Sequence, residues 1–133
     1  MKDIFVNLKR FDVPRSLGGV CQKDDPRAWI MWIIDECVAL GLGEMDGAKL
    51  SFLLPEALIL TALERLSAYP KEKARSIAVG VQGVYRQDIA PGGNFGAFTT
   101  LTPAKAAKNL GANLAIIAHS EERRDKLAVI AAY

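Results

Sequence analysis

The sequence is poor in the residues that build redox, metal and nucleophilic centres. It carries one histidine, His119, and two cysteines, Cys21 and Cys37. The cysteines match no metal or redox spacing, and one possible bridge is no disulfide framework, so two reduced thiols are expected. There is no long apolar run: the longest, around Ala28 to Ile34, is far too short to span a bilayer. The first residues, MKDIFVNLKRFDV, place charges on both sides of a very short apolar segment and do not read as a secretory leader. An excess of one charge is also missing, with 17 Lys and Arg against 15 Asp and Glu. The basic residues are scattered without interleaved aromatics, which argues against nucleic acid and against an anionic membrane as partners. Neither the GxxxxGK phosphate loop nor the GxGxxG dinucleotide fingerprint occurs. A cytoplasmic, soluble protein is the expectation.

What is present is an ordinary globular composition, 50% hydrophobic and 24% charged over 133 residues, enough for one domain. Asp3 to Lys9 reads as a short strand with Ile4, Val6 and Leu8 on one face and Phe5, Asn7 and Lys9 on the other. Asp24-Asp25-Pro26 is a helix start, and the helix would run from Arg27 to about Leu40, ended by Gly41 and Gly43. Its apolar positions, Trp29, Ile30, Trp32, Ile33, Cys37 and Leu40, predict a broad buried face. Ala48 to Leu54 is a second strand, and Pro55 opens a helix over Glu56 to Ala68 with Leu58, Leu63 and Leu66 facing the core. Ser76 to Tyr85 is a β-branched run with glycines, hence a third strand. After a breaker-rich loop from Gln87 to Phe98, Thr102-Pro103 begins a helix through Leu110, closed by Gly111. Leu114 to Ala118 is a fourth strand and Ser120 to Tyr133 a fourth helix.

Strand and helix thus alternate four times, which calls for parallel strands joined by right-handed helical crossovers, the α/β class. Two closures remain open: a small doubly wound sheet, or four units of a (β/α) barrel whose full set takes about 250 residues.

In either architecture ligands bind at the carboxyl ends of the strands, and His119 falls there, between the fourth strand and its helix. Ser120 is the expected N-cap, and Glu121 and Glu122 suit the positive end of the helix dipole. The same end disfavours a second proton on His119, so a neutral imidazole is expected, able to donate to a carbonyl oxygen gaining charge. The plain alternative is a structural histidine, which is the commoner role of a lone one. Asn7 and Lys9, two apart on one strand face, form a cradle for an anionic, oxygen-rich ligand; the plain alternative there is a snorkelling surface lysine. The loop from Gln87 to Phe98, with Gly92-Gly93-Asn94 at its tip, is long for a compact domain, and packing against a partner subunit is one use for it.

Three stretches, in order and in register, resemble the triosephosphate isomerase family. VNLK (Val6 to Lys9) is similar to the family's Asn-x-Lys at the end of its first strand. VGVQGVYRQD…GNFGAFT (Val79 to Thr99) is similar to its third strand and loop, and LGANLAIIAHSEER (Leu110 to Arg123) to its fourth strand with the His-Ser-Glu signature. The resemblance implies a single domain over 1–133 that forms the N-terminal half of a (β/α)8 TIM barrel. It implies an aldose–ketose isomerase of a small sugar phosphate, glyceraldehyde 3-phosphate and dihydroxyacetone phosphate or a close analogue, working through an enediolate without a cofactor or metal.

By the same resemblance His119, Lys9 and Glu121 are catalytic, and Asn7, Lys9 and Ser120 bind substrate. His119 is the electrophile that polarises the carbonyl, kept neutral by a helix N-terminus as in that family, and Glu121 helps organise the lysine. Gln87, Asp88, Gly92, Gly93, Asn94 and Phe95 belong to a loop that inserts beside the active site of a second copy, so a homodimer or higher homo-oligomer is implied. The sequence departs from the family's pattern at Leu8, where tryptophan is usual, at Glu122, which precedes Arg123 and Arg124, and at the loop tip IAPGGN. The family's catalytic glutamate lies in a Tyr-Glu-Pro stretch followed by a lid and phosphate-binding glycines, and no Tyr-Glu-Pro occurs among these residues. Because proton transfer between carbons needs a base within reach, the 133 residues are expected to be a truncated portion, inactive alone. They are also expected to self-associate through unpaired strand edges. The alternative is a non-catalytic half-barrel binding or assembly module.

Overall fold

The computed structural model describes residues 1–133. Three strands, β1 (Lys2–Asn7), β2 (Ala48–Leu54) and β3 (Ile77–Val81), form one parallel sheet in the order β1-β2-β3. The register pairs Ile4 with Leu50 and Asn7 with Leu53 on one side, and Phe52 with Val79 and Leu54 with Val81 on the other. All three strands therefore point the same way, and their carboxyl ends share one edge.

The helices connecting them are built by local chemistry that the sequence displays. In α1 (Pro26–Ala39) the Asp25 carboxylate accepts the backbone N–H of Arg27 at 2.9 Å, and Pro26 opens the first turn, where no amide hydrogen is needed. Gly41, with φ at +77°, turns the chain out in the left-handed region. Pro55 precedes α2 (Glu56–Ser67). A further short helix, α3 (Lys71–Ala74), follows Pro70, and α4 (Ala104–Leu110) follows Pro103 and ends at Gly111. The final helix is α5 (Ser120–Ala132).

The core lies between the sheet and α1, α2 and α4. Ile30, Ile34, Leu54, Ile59 and Val79 are its fully enclosed members, with Leu50, Phe52, Leu58 and Val81 around them. Burial of such side chains stabilises a fold by about 1.5–3 kcal/mol each before entropy is counted. Across α1 and α2, Asp35 accepts from Arg65 Nε and Nη2 at 2.6 and 2.8 Å, and from the Tyr69 hydroxyl at 2.5 Å. Arg65 first, then Tyr69, hold the Asp35 carboxyl below its ordinary range despite opposing desolvation.

Several expectations are corrected. Strand β1 ends at Asn7 rather than Lys9, and β3 at Val81 rather than Tyr85. The fourth strand shrinks to a single parallel bridge, Val81 to Ala115. The segment does run along the free edge of β3: Asn113 N–H donates to Val79, Val81 N–H to Leu114 and Ile116 N–H to Val81. With Ala118 at φ +55°, the extended run stops there. The buried face of α1 is narrower than expected, since Trp32 and Leu40 are exposed and Ile34 is buried instead. Nothing in α5 is buried; Leu127, Val129 and Ile130 all stand in solvent. No helix is long and apolar enough to cross a membrane.

Candidate functional site

At the carboxyl edge of the sheet lies a cavity of about 740 Å³ in which every lining residue is polar or charged. Asn7 and Lys9 come from the end of β1, Gln82 from the residue after β3, and His119, Ser120 and Glu121 from the start of α5. Arg10, Glu122, Arg124 and Asp125 complete its wall. Residues more than a hundred positions apart are brought together because the parallel sheet puts all strand ends on one side.

Two of the three non-glycine residues with positive φ flank this cavity: Lys9 at +46° and Ala118 at +55°. A left-handed backbone costs an ordinary residue about 1–2 kcal/mol and persists only where the surroundings hold it. At Lys9 the hold is visible. Its N–H donates to the Asn7 side-chain oxygen at 2.9 Å, and its carbonyl accepts from Gln82 Nε2 at 2.8 Å. The side chain of Lys9 makes no ion pair, leaving the ammonium free to meet an anion.

His119 sits differently from the expectation. The N-cap of α5 is His119 itself, not Ser120: Nδ1 accepts the backbone N–H of Glu121 at 3.1 Å. Ser120 is the first residue of the helix. An imidazole nitrogen that accepts an N–H carries no proton, so the proton of this ring is on Nε2, and Nε2 is a donor. Glu121 lines the same cavity but forms no ion pair with Lys9. Glu122 is turned to Lys126, 2.5 Å away one turn along the helix. Arg10 is drawn to the buried Asp12 at 2.7 Å. No group of three or more His, Cys, Asp or Glu side chains is arranged to hold a metal ion. Burial pushes the Cys37 thiol up, with Glu36 adding to it, which keeps it protonated and poorly nucleophilic.

The loop residues are elsewhere. Gln87, Asp88, Gly92, Gly93, Asn94 and Phe95 lie on the exposed segment between β3 and α4, outside the cavity lining. Asp88 is an internal anchor: its carboxylate accepts the N–H of Lys105 at 3.0 Å and of Ile89 at 2.9 Å. The Lys105 amide first, then that of Ile89, lower the Asp88 carboxyl against the effect of desolvation. Asn94 donates to the Asp88 carbonyl and accepts from Gly96, and Phe95 is left 91% exposed with φ at +53°.

Gln82 is the site residue that sequence reasoning passed over. Alternation along β3 puts it on the same side as Ala78 and Gly80, and a polar side chain following two small ones at a strand's carboxyl end was the available clue.

A parallel three-stranded α/β unit with a wholly polar cavity at its strand ends is consistent with part of a (β/α) barrel, an architecture that binds ligands at the carboxyl ends of its strands. The family model described as triosephosphate isomerase matches residues 45–130, and the chain belongs to that family. No curated protein matches it.

Proposed function

We propose that this chain carries the electrophile side of an isomerase site of the triosephosphate isomerase type, acting on a small sugar phosphate such as glyceraldehyde 3-phosphate or dihydroxyacetone phosphate. The observation that carries the reading is the sharing of one cavity by the Nε2–H of His119, the unpaired ammonium of Lys9 and the amide of Asn7. In this reaction a base removes the proton from the carbon next to the carbonyl. The electron pair left behind forms the enediolate, and the carbonyl oxygen gains negative charge. His119 Nε2–H donates to that oxygen and then passes the proton between the two oxygens, while Lys9 offsets the negative charge of the substrate. Asn7 and Ser120 orient the substrate oxygens, and Glu121 lines the same cavity without pairing with the lysine, so that Lys9 stays free for the substrate.

The carbon base is a glutamate of the family's Tyr-Glu-Pro stretch, which the 133 residues do not contain. They are read as a half-barrel domain that binds but does not turn over substrate by itself. The alternative, a half-barrel that serves only for binding or assembly, shares the binding step. The exposed Phe95 and the internally braced loop around it support a contact with a second copy, giving a homodimer or larger homo-oligomer. Free Cys21 and Cys37 suit a cytoplasmic setting.

Titration calorimetry of the 133-residue chain with dihydroxyacetone phosphate tests the reading. Lys9→Glu is expected to abolish binding and His119→Gln to weaken it, with no isomerisation by the chain alone. Binding that neither substitution disturbs would place the ligand elsewhere and end the proposal.

A further inference from the structure

We infer that Gln82 is the positioning residue that fixes Lys9, acting through the backbone of the lysine rather than on substrate. The inference rests on the reading of Lys9 as the anion-binding group. Lys9 stands at φ +46°, and each of its two polar backbone groups is taken by a side-chain amide. Asn7 Oδ1 takes the N–H, at 2.9 Å. Gln82 Nε2 donates to the Lys9 carbonyl at 2.8 Å and to the same Asn7 oxygen at 3.1 Å. One amide thus closes a ring that runs from Gln82 through Asn7 to the Lys9 N–H and back through the Lys9 carbonyl. It also lies 3.4 Å from the carbonyl of Leu53, to which the Leu8 N–H donates at 3.1 Å. Gln82 therefore ties the carboxyl ends of all three strands to the turn that presents the ammonium.

Every neighbour of Nε2 in this arrangement is an acceptor, so the amide must face them with its nitrogen. Nothing else in the chain bonds the Lys9 carbonyl. Without Gln82 that carbonyl loses its partner, the Asn7 amide loses one of its two restraints, and the strained turn is free to relax to negative φ. The ammonium then swings away from the cavity that His119 lines. A flexible lysine in an ordinary extended backbone would need no such device, which is why the left-handed φ and the three-way amide belong to one design.

The test uses the full chain, with inorganic phosphate as the probe. In Gln82→Met, backbone couplings that report the sign of φ are expected to show Lys9 leaving the left-handed region, and the phosphate dissociation constant to rise by about tenfold, the worth of a hydrogen bond to a charged site. Amide resonances of β2 and β3 are expected to stay in place. Gln82→Glu supplies a second variant should the methionine not fold. Its carboxylate has no donor at neutral pH but regains an O–H when protonated, so the Lys9 signature is expected to return as pH falls below about 4. A Lys9 that keeps its left-handed couplings in both variants overturns the inference. Phosphate binding that is absent in the native chain, or unchanged in Lys9→Met, defeats the anion-binding reading instead and leaves Gln82 to be judged on the couplings alone.

Discussion

The imidazole Nδ1 of His119 accepts the backbone N–H of Glu121 at 3.1 Å. One bond does two things: it caps α5, and it assigns the single ring proton to Nε2. A serine cap would satisfy the same amide hydrogen but would leave the imidazole free to rotate and to protonate at either nitrogen. The cap and the proposed electrophile are the same residue, so they can be separated by substitution.

His119→Asn preserves a short side-chain acceptor at the N-cap, whereas His119→Ala removes it. Losing a cap costs about 1 kcal/mol, so amide exchange at Glu121 is expected to accelerate about fivefold in the alanine variant and little in the asparagine one. Both variants are expected to lose affinity for dihydroxyacetone phosphate. Equal exchange in the alanine and native chains would show that the bond does not cap the helix.

The Asp35 carboxyl, held low by Arg65 and Tyr69, makes stability depend on pH. Its folded pKa lies below its unfolded one, so the contribution is complete above the unfolded value of about 4 and disappears as pH falls through the depressed folded value. The urea midpoint of the native chain is expected to exceed that of Asp35→Asn at pH 6, and the gap to narrow progressively below pH 4. A gap that persists at the lowest pH would show that the carboxylate charge is not its source.

Gly80 is where the segment carrying His119 meets β3. A Cβ there would lie 2.6 Å from the Leu114 carbonyl oxygen and 2.6 Å from its Cγ, so backbone must move to admit it. Gly80→Ala is expected to destabilise by about 1–3 kcal/mol, as overpacking does, and to weaken protection of the Val81 and Ile116 amides that bond across this edge. Gly83, with open space around its Cα, is the control: Gly83→Ala is expected to be close to neutral. Indistinguishable unfolding curves for the two variants would refute the close apposition.

Elements with a local cause were readable in the sequence. Strand β2 spans Ala48–Leu54 as predicted because an apolar run stops at a proline, and α1 starts at Pro26 because Asp25 is both cap and boundary. Elements with a distant cause were not. Strand β3 stops at Val81, four residues before the β-branched run ends, because its partner β2 ends at Leu54, opposite Val81. The fourth strand has the right composition but forms only one bridge, Val81 to Ala115, before Ala118 turns the backbone into the left-handed region. The short α3 was missed although Pro70 announces it as Pro55 announces α2.

The candidate site was legible in its members and less so in its wiring. Asn7, Lys9, His119, Ser120 and Glu121, the residues the sequence points to, all line the cavity, but alternation alone does not place Lys9. Strand alternation would aim Asn7 and Lys9 alike, yet β1 ends at Asn7 and a left-handed turn presents the lysine. Serine is the usual cap acceptor, which points the sequence to Ser120, whereas the structure uses the imidazole lone pair of His119.

His119 is the only histidine, so its ring nitrogens give one unambiguous pair of resonances in a nitrogen-15 spectrum. Following that pair while dihydroxyacetone phosphate is added, in the native chain and in Lys9→Met, tests most directly whether imidazole and ammonium serve one ligand. The expected result is a saturable shift at Nε2 while Nδ1 stays unprotonated, with the midpoint at least about tenfold higher in Lys9→Met. Ring resonances that ignore the ligand, or that follow the same isotherm in both proteins, would contradict it.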